Sequence, residues 1–243
     1  MIHEIPEEFS LDDVGSHNGQ FDRSTARLIK GNTYKDLSTI WITPIKKKTK
    51  IEPRVVSSWM ALQRPMNQPF IGPLFIDGDE VGEAYCNGFN MILNHPELQN
   101  WKFILTVEQD NLPPSMGIMK LYESIEKGFD VVAGLYWTKG EEGQPMIYGN
   151  PQIMPRNFVP QVPLRDTLQH CNGLGMGFNL WSIESLKTKL VDLPKPWFKT
   201  VQEEGKSFTQ DLFFYNESAK YGWRCACNTG VRVGHLDSDG RVW

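Results

Sequence analysis

Phe103-Ile104-Leu105-Thr106-Val107 is an apolar run that passes directly into Glu108-Gln109-Asp110-Asn111, and Pro113-Pro114 end the segment. A short run of this kind, bounded by breakers, predicts a buried strand. A strand buried on both faces belongs in the middle of a parallel sheet. In open α/β sheets ligands bind beyond the carboxyl ends of the strands, which is where Glu108 and Asp110 fall. Being two residues apart, they share a face if the strand continues through them. Two carboxylates at that edge suit a hard divalent cation shared with a ligand phosphate. The plainer alternative is that they cap the next helix or solvate a loop.

The flanking chain supports a sheet of this type. Thr39-Ile40-Trp41-Ile42-Thr43-Pro44 predicts a first strand, ending at the basic run Lys46-Lys47-Lys48-Thr49-Lys50. That run is a solvated loop or, at the ligand edge, an attractor of phosphate. Ile51, Val55, Val56, Trp59 and Leu62 share one helical face, with Pro53 in the first turn. Residues 69–76 predict a second strand. A helix carrying Val81, Ala84, Tyr85, Phe89, Ile92 and Leu93 leads to the central strand. Beyond Pro114, a helix with Ile118, Met119, Leu121, Tyr122 and Ile125 closes at Gly128, and residues 129–136 predict another buried strand. Alternation of strand and helix means a parallel sheet with helices on both faces.

From 137 to 170 the pattern changes. Pro145, Pro151, Pro155, Pro160 and Pro163 interrupt any long element, leaving 146–148 and 152–154 as candidate short strands in a substrate-facing insertion. Gly173, Gly175 and Gly177 then alternate ahead of a strand. They imply either close approach of backbone to a ligand or tight turn packing. Ser182 is placed to cap a helix. Thr209 is an expected N-cap, with Asp211 in the first turn of the helix that follows. A strand from Trp223 to Cys227 and the run Val231-Arg232-Val233-Gly234-His235 end the pattern.

Bulk properties narrow the class. A chain of 243 residues with 40% hydrophobic and 22% charged residues is globular. We expect an N-terminal arm over 1–36 and a single α/β domain over 37–243. A net charge of −4 argues against broad sequence-independent nucleic-acid binding. The first residues are acidic and lack the apolar core of a signal peptide, and no apolar stretch is long enough to span a bilayer. Cys86, Cys171, Cys225 and Cys227 lack zinc-type spacing and read as buried reduced thiols, so a cytoplasmic setting is expected.

Taken in order, these motifs resemble an inverting glycosyltransferase of the GT-A fold, family-2-like, over roughly residues 38–237. The resemblance implies an α/β, Rossmann-like, mostly parallel central sheet with helices on both faces. It implies metal-dependent, hexosyltransferase-like transfer of a sugar from a nucleoside-diphosphate sugar, UDP-linked most commonly, to an acceptor hydroxyl with inversion. By the same resemblance, Glu108, Asp110 and His235 would hold Mn²⁺ or Mg²⁺. Pro44, Glu108, Gln109, Asp110, Gly173 and Gly175 would contact the donor, and Asp211 would be the base. Trp137 and Trp197 are candidates to stack on the acceptor. Two departures stand out: Glu108 replaces the usual Asp of the metal motif, and Gln210 replaces the usual Glu beside the base.

The residue types fit that chemistry. Displacement of a nucleoside diphosphate builds negative charge on the leaving phosphate, which a divalent ion neutralises. A positioned carboxylate such as Asp211 takes the acceptor proton. Neutral His235 favours Mn²⁺ over Mg²⁺. Two alternatives remain: a nucleotide-sugar or glycan-binding module without turnover, and a nucleotidyltransferase. The second is disfavoured because residues 44–50 carry lysines but no glycine. A glycan, a protein or a modified nucleic-acid base all remain open as acceptor. A small viral enzyme acting in the host cytoplasm is compatible with the chain.

Overall fold

The alternating segments build a seven-stranded sheet covered on both faces. The computed structural model describes residues 35–46, 50–203 and 206–243. The arm expected over 1–36 therefore lies outside the described residues up to residue 34, as do residues 47–49 of the basic run. Leu37–Trp243 form one compact unit.

The first half is a repeat of strand and helix: β1 (Thr39–Ile45), α1 (Pro53–Met60), β2 (Phe70–Asp77), α2 (Val81–Asn94) and β3 (Phe103–Val107). Parallel pairing sets β1 between β2 and β3. Side chains alternate across the sheet as strand geometry demands. Ile40, Ile42 and Ile104 meet Tyr85, Phe89 and Ile92 of α2 on one face. Trp41, Leu105 and Val107 meet Val55 and Trp59 of α1 on the other. Burial on both faces is why these strands read as unbroken apolar runs.

After β3 come β4 (Asn111–Leu112), α3 (Gly117–Ile125) and β5 (Val131–Leu135). Helix α3 puts Ile118, Leu121, Tyr122 and Ile125 on the Trp41 face. Gly128, at φ 88°, ends the connection in the left-handed region that only glycine enters freely. The insertion contributes β6 (Ile147–Tyr148), β7 (Leu168–Cys171) and β8 (Gly173–Leu174). The short strand expected at 152–154 is instead a turn, closed by Ile153 N donating to Asn150 O at 3.0 Å. Next are β9 (Phe178–Ser182) and α4 (Ile183–Lys189), whose cap is Ser182: its Oγ accepts from Ser185 N at 3.1 Å. The chain ends with β10 (Val201–Glu203), β11 (Lys206–Phe208), α5 (Gln210–Ser218), β12 (Cys225–Arg232) and β13 (Gly234–His235).

The sheet order is β2-β1-β3-β9-β5-β12-β7. The mostly parallel sheet with helices on both faces is as expected. Two strands run against the rest: β9, antiparallel to β3 and β5, and β7, antiparallel to β12. Strand β9 enters from the opposite edge because the proline-broken insertion supplies no crossover helix ahead of it. Beneath it Trp181 is fully buried, ringed by Phe89, Phe198, Phe214, Tyr215 and Trp223. All four cysteines are free, with Cys171 and Cys225 facing each other across β7 and β12 at an Sγ–Sγ distance of 3.8 Å.

Candidate functional site

The site begins where β3 stops. Asn111 N donates to Glu108 O at 3.1 Å, closing a turn over 108–111. The strand therefore does not continue through the carboxylates, and the two take different partners. Glu108 Oε1 accepts from the Tyr85 hydroxyl at 3.0 Å. Asp110 takes other partners. Its Oδ2 accepts from Lys139 Nζ at 2.6 Å and lies 3.5 Å from His235 Nε2.

The end of the chain brings His235 to this point. Strands β13 and β4 pair antiparallel with His235 opposite Asn111, and Leu236 N donates to Asp110 O at 2.8 Å. His235 Nδ1 donates to the Trp137 carbonyl at 2.7 Å, which directs Nε2 toward Asp110. The ring also stands edge-on to Tyr136 at 5.3 Å. An imidazole fixed through one nitrogen to a carbonyl presents the other as a ligand.

Beside Asp110 opens a cleft of about 190 Å³. Its walls are Pro44, Ile45 and Lys46 at the end of β1, Gly78, Val81 and Ala84 at the start of α2, and Glu108, Gln109 and Asp110. The first turn of α2 has no side-chain cap, so its amide dipoles favour an anion there. Gln109 Oε1 is buried and has no hydrogen-bond partner among the described residues. A buried acceptor of that kind needs a donor, and a bound ligand can supply one.

Asp211 opens α5 and is buried. Its Oδ1 accepts from Leu212 N at 2.9 Å and from the Thr209 hydroxyl. Thr209 therefore turns its hydroxyl to Asp211 and does not cap the helix with it. Burial raises the Asp211 pKa above the ordinary carboxylate value, against the pull of those two donors. Glu108 is pushed up to about 7, by burial first and then by Asp110, with Asp211 adding to it. For Asp110, burial is outweighed by hydrogen bonds from His235 and Lys139, and its pKa falls. For His235, burial is outweighed by Asp110 and the Trp137 carbonyl, and its pKa rises.

The other expected site residues are placed as follows. A Cβ on Gly175 would run into the Tyr136 hydroxyl, and one on Gly177 would lie 2.7 Å from Tyr136 Cζ. Gly177 N donates to that hydroxyl at 2.9 Å. Between the two readings of the glycine segment, protein packing explains these positions. Gly173 meets Phe158 and Leu212, and neither it nor Gly175 lines the Asp110 cleft. Trp197 is 7% exposed, lies in the core, and donates from Nε1 to Leu193 O at 3.1 Å. Its ring is not displayed for stacking. Trp137 is half-buried and acts on the site through its carbonyl.

Lys139, Tyr85 and Tyr136 were not singled out from sequence. Lys139 follows β5 much as Glu108 follows β3, and that end-of-strand position was the available signal. As for a metal, no group of three or more His, Cys, Asp or Glu side chains gathers among the described residues. Asp110 and His235 are the converging pair, and Glu108, with its Oε1 on the Tyr85 hydroxyl, lines the same cleft as Asp110. One or two protein ligands, completed by phosphate and water, suit Mg²⁺ or Mn²⁺.

No protein-family model and no curated protein matches the sequence. Solved structures do match the fold. A197 from STIV aligns with a TM-score of 0.58 and 15% identity, covering 84% of this chain and 92% of that one. GalNAc-T7, crystallised with UDP, GalNAc and Mn²⁺, aligns with a TM-score of 0.53 and 11% identity, covering 83% of this chain. The match spans 43% of that second protein, less than half its length. Both likenesses are to the fold, which is GT-A-like and shared with glycosyltransferases. Among the described residues, no helix is long and apolar enough to cross a membrane.

Proposed function

We propose that the chain is a metal-dependent, inverting, family-2-like glycosyltransferase that uses a nucleoside-diphosphate sugar. The observation that carries the reading is the meeting of Asp110 and His235, 3.5 Å apart, at the mouth of a cleft beyond the strand ends. The UDP and Mn²⁺ bound by GalNAc-T7 lend support to a nucleotide-sugar and metal of this class here. Asp110 Oδ2 and His235 Nε2 would hold the ion together, and Glu108, whose Oε1 accepts from the Tyr85 hydroxyl at 3.0 Å, would hold the ribose or a metal-bound water. A bound Mn²⁺ or Mg²⁺ supplies charge neutralisation for the departing diphosphate.

The chain's own residues do the rest. Pro44, Ile45, Val81 and Ala84 give the cleft its apolar walls, and Gln109 Oε1 awaits a donor from the ligand. Asp211 accepts the acceptor's hydroxyl proton. Its raised pKa makes it a stronger base than an exposed aspartate, and Thr209 and Leu212 N fix its orientation. Direct displacement of the diphosphate by the acceptor oxygen would be a single step and would invert the sugar carbon.

Thermal shift against nucleoside diphosphates and their sugars, with and without Mn²⁺, tests the reading. A metal-dependent rise in Tm for one nucleotide, absent in Asp110→Asn, is the expected result. No rise for any nucleotide would overturn it. A nucleotide-sugar-binding module without turnover is the second reading, resting on Gln210 where an acid usually stands beside the base. Donor binding without transfer or donor hydrolysis would decide for that module.

A further inference from the structure

The contact between Lys139 and Asp110 bears on how the site loads. Lys139 Nζ lies 2.6 Å from Asp110 Oδ2, the same oxygen that faces His235 Nε2. The lysine belongs to a hairpin-like loop. Trp137 and Pro145 form a bridge, Thr138 N donates to Gln144 O at 2.9 Å, and Gly143 N donates to Gly140 O at 3.0 Å. Gly140 takes φ 103° at its tip, and both Lys139 and Asp110 are 31% exposed at their side chains. The lysine therefore reaches Asp110 from a loop that closes on itself, on a side chain long enough to swing away.

An ion bound between Asp110 and His235 would sit about 2.0–2.2 Å from its ligand atoms. An ammonium at hydrogen-bond distance from the same oxygen cannot remain there beside it, because the two cations would crowd one lone-pair region and repel. A lysine released at this point faces the place where diphosphate charge collects, and a lysine is a point charge well suited to phosphate.

We propose that Lys139 and the divalent ion exclude one another on Asp110, and that the displaced Lys139 then binds the donor's diphosphate. The inference rests on the donor reading above and extends it. The free chain keeps Asp110 neutralised by its own lysine and takes up metal poorly by itself. Metal and nucleotide then load together, because the nucleotide gives Lys139 a new partner as the ion takes Asp110. Lys139 is thus a donor-binding residue that also gates the metal.

The test compares wild type with Lys139→Met and Lys139→Arg. It measures Mn²⁺ alone by the electron paramagnetic resonance of free ion, and UDP at saturating Mn²⁺ by calorimetry. Lys139→Met is expected to bind Mn²⁺ alone ~10-fold more tightly and UDP with Mn²⁺ ~10-fold more weakly, couplings of ordinary size between two sites. Lys139→Arg, which keeps the charge, stays near wild type in both. Unchanged or weaker Mn²⁺ binding by Lys139→Met overturns the exclusion. UDP binding that is unchanged or strengthened in that variant overturns the diphosphate role. Failure of wild type to bind UDP with Mn²⁺ counts against the donor reading and removes the diphosphate half of the proposal, while the Mn²⁺ measurement still decides the exclusion.

Discussion

Glu108→Gln should stabilise the protein above neutral pH and leave it unchanged in mild acid. The side chain packs against Tyr85, and burial together with Asp110 lifts its pKa from 4.5 to about 7. In the unfolded chain the carboxyl ionises near its ordinary value. Between those two values the unfolded state loses its proton and the folded state keeps it, so stability falls as pH rises. At ~1.4 kcal/mol per unit the full penalty approaches about 3 kcal/mol above pH 7. Glutamine keeps an oxygen for the Tyr85 hydroxyl and has no charge to desolvate. For a domain of this size that amounts to a Tm gain of roughly 6–12 °C at pH 8 and none near pH 4.5. Differential scanning calorimetry of wild type and variant, side by side from pH 4.5 to 8.5, reads the difference directly. Other titrating groups cancel in the comparison. A variant whose Tm follows wild type across the whole range would refute the account of Glu108.

Four further outcomes are expected. Asp211→Asn should lower turnover by ~10²–10⁴-fold while nucleotide-induced thermal shifts persist. Because burial raises the Asp211 pKa, wild-type kcat should decline on the acid side at higher pH than an ordinary aspartate would give, a limb that pH–rate profiles would locate. Gly175→Ala places a methyl against the Tyr136 hydroxyl and should cost ~1–3 kcal/mol in urea denaturation, partly recovered in combination with Tyr136→Phe. Trp197→Ala should cost ~3–5 kcal/mol, as a core aromatic does, and a stable variant with a weakened acceptor affinity would instead restore that ring to the site.

Much of the fold is legible from periodicity. The strand at 103–107 matches β3 because a short apolar run followed by a polar turn and two prolines has few other readings. Helices α2 and α3 follow from apolar residues at helical spacing. The direction of β9 is not legible, since an apolar run carries no arrow and the insertion before it lacks a periodic signal. The end of β3 at the carboxylates is likewise hidden, because a turn at 108–111 and a strand at 108–111 are written in the same residues. The approach of His235 to Asp110 comes from the pairing of β13 with β4, a contact between the middle and the end of the chain. Lys139 reads as loop until the fold shows what it touches. The glycines at 175 and 177 stayed ambiguous because the partner they make room for, Tyr136, lies far away in sequence.

Strand β9 also has a consequence for the order in which the molecule assembles. It is the seam between β2-β1-β3 on one side and β5-β12-β7 on the other, which otherwise share no ladder in the sheet. During synthesis β3 and β5 are both made well before β9, so each waits with an open edge until residues 178–182 emerge. Closing the sheet then needs contacts between distant parts of the chain, which is slow and leaves unpaired edges exposed meanwhile. A chain ending within the insertion would hold β2-β1-β3 and a lone β5, with no ladder between them. The same late strand thus decides when the cleft beside β3 and the lysine beyond β5 first face each other.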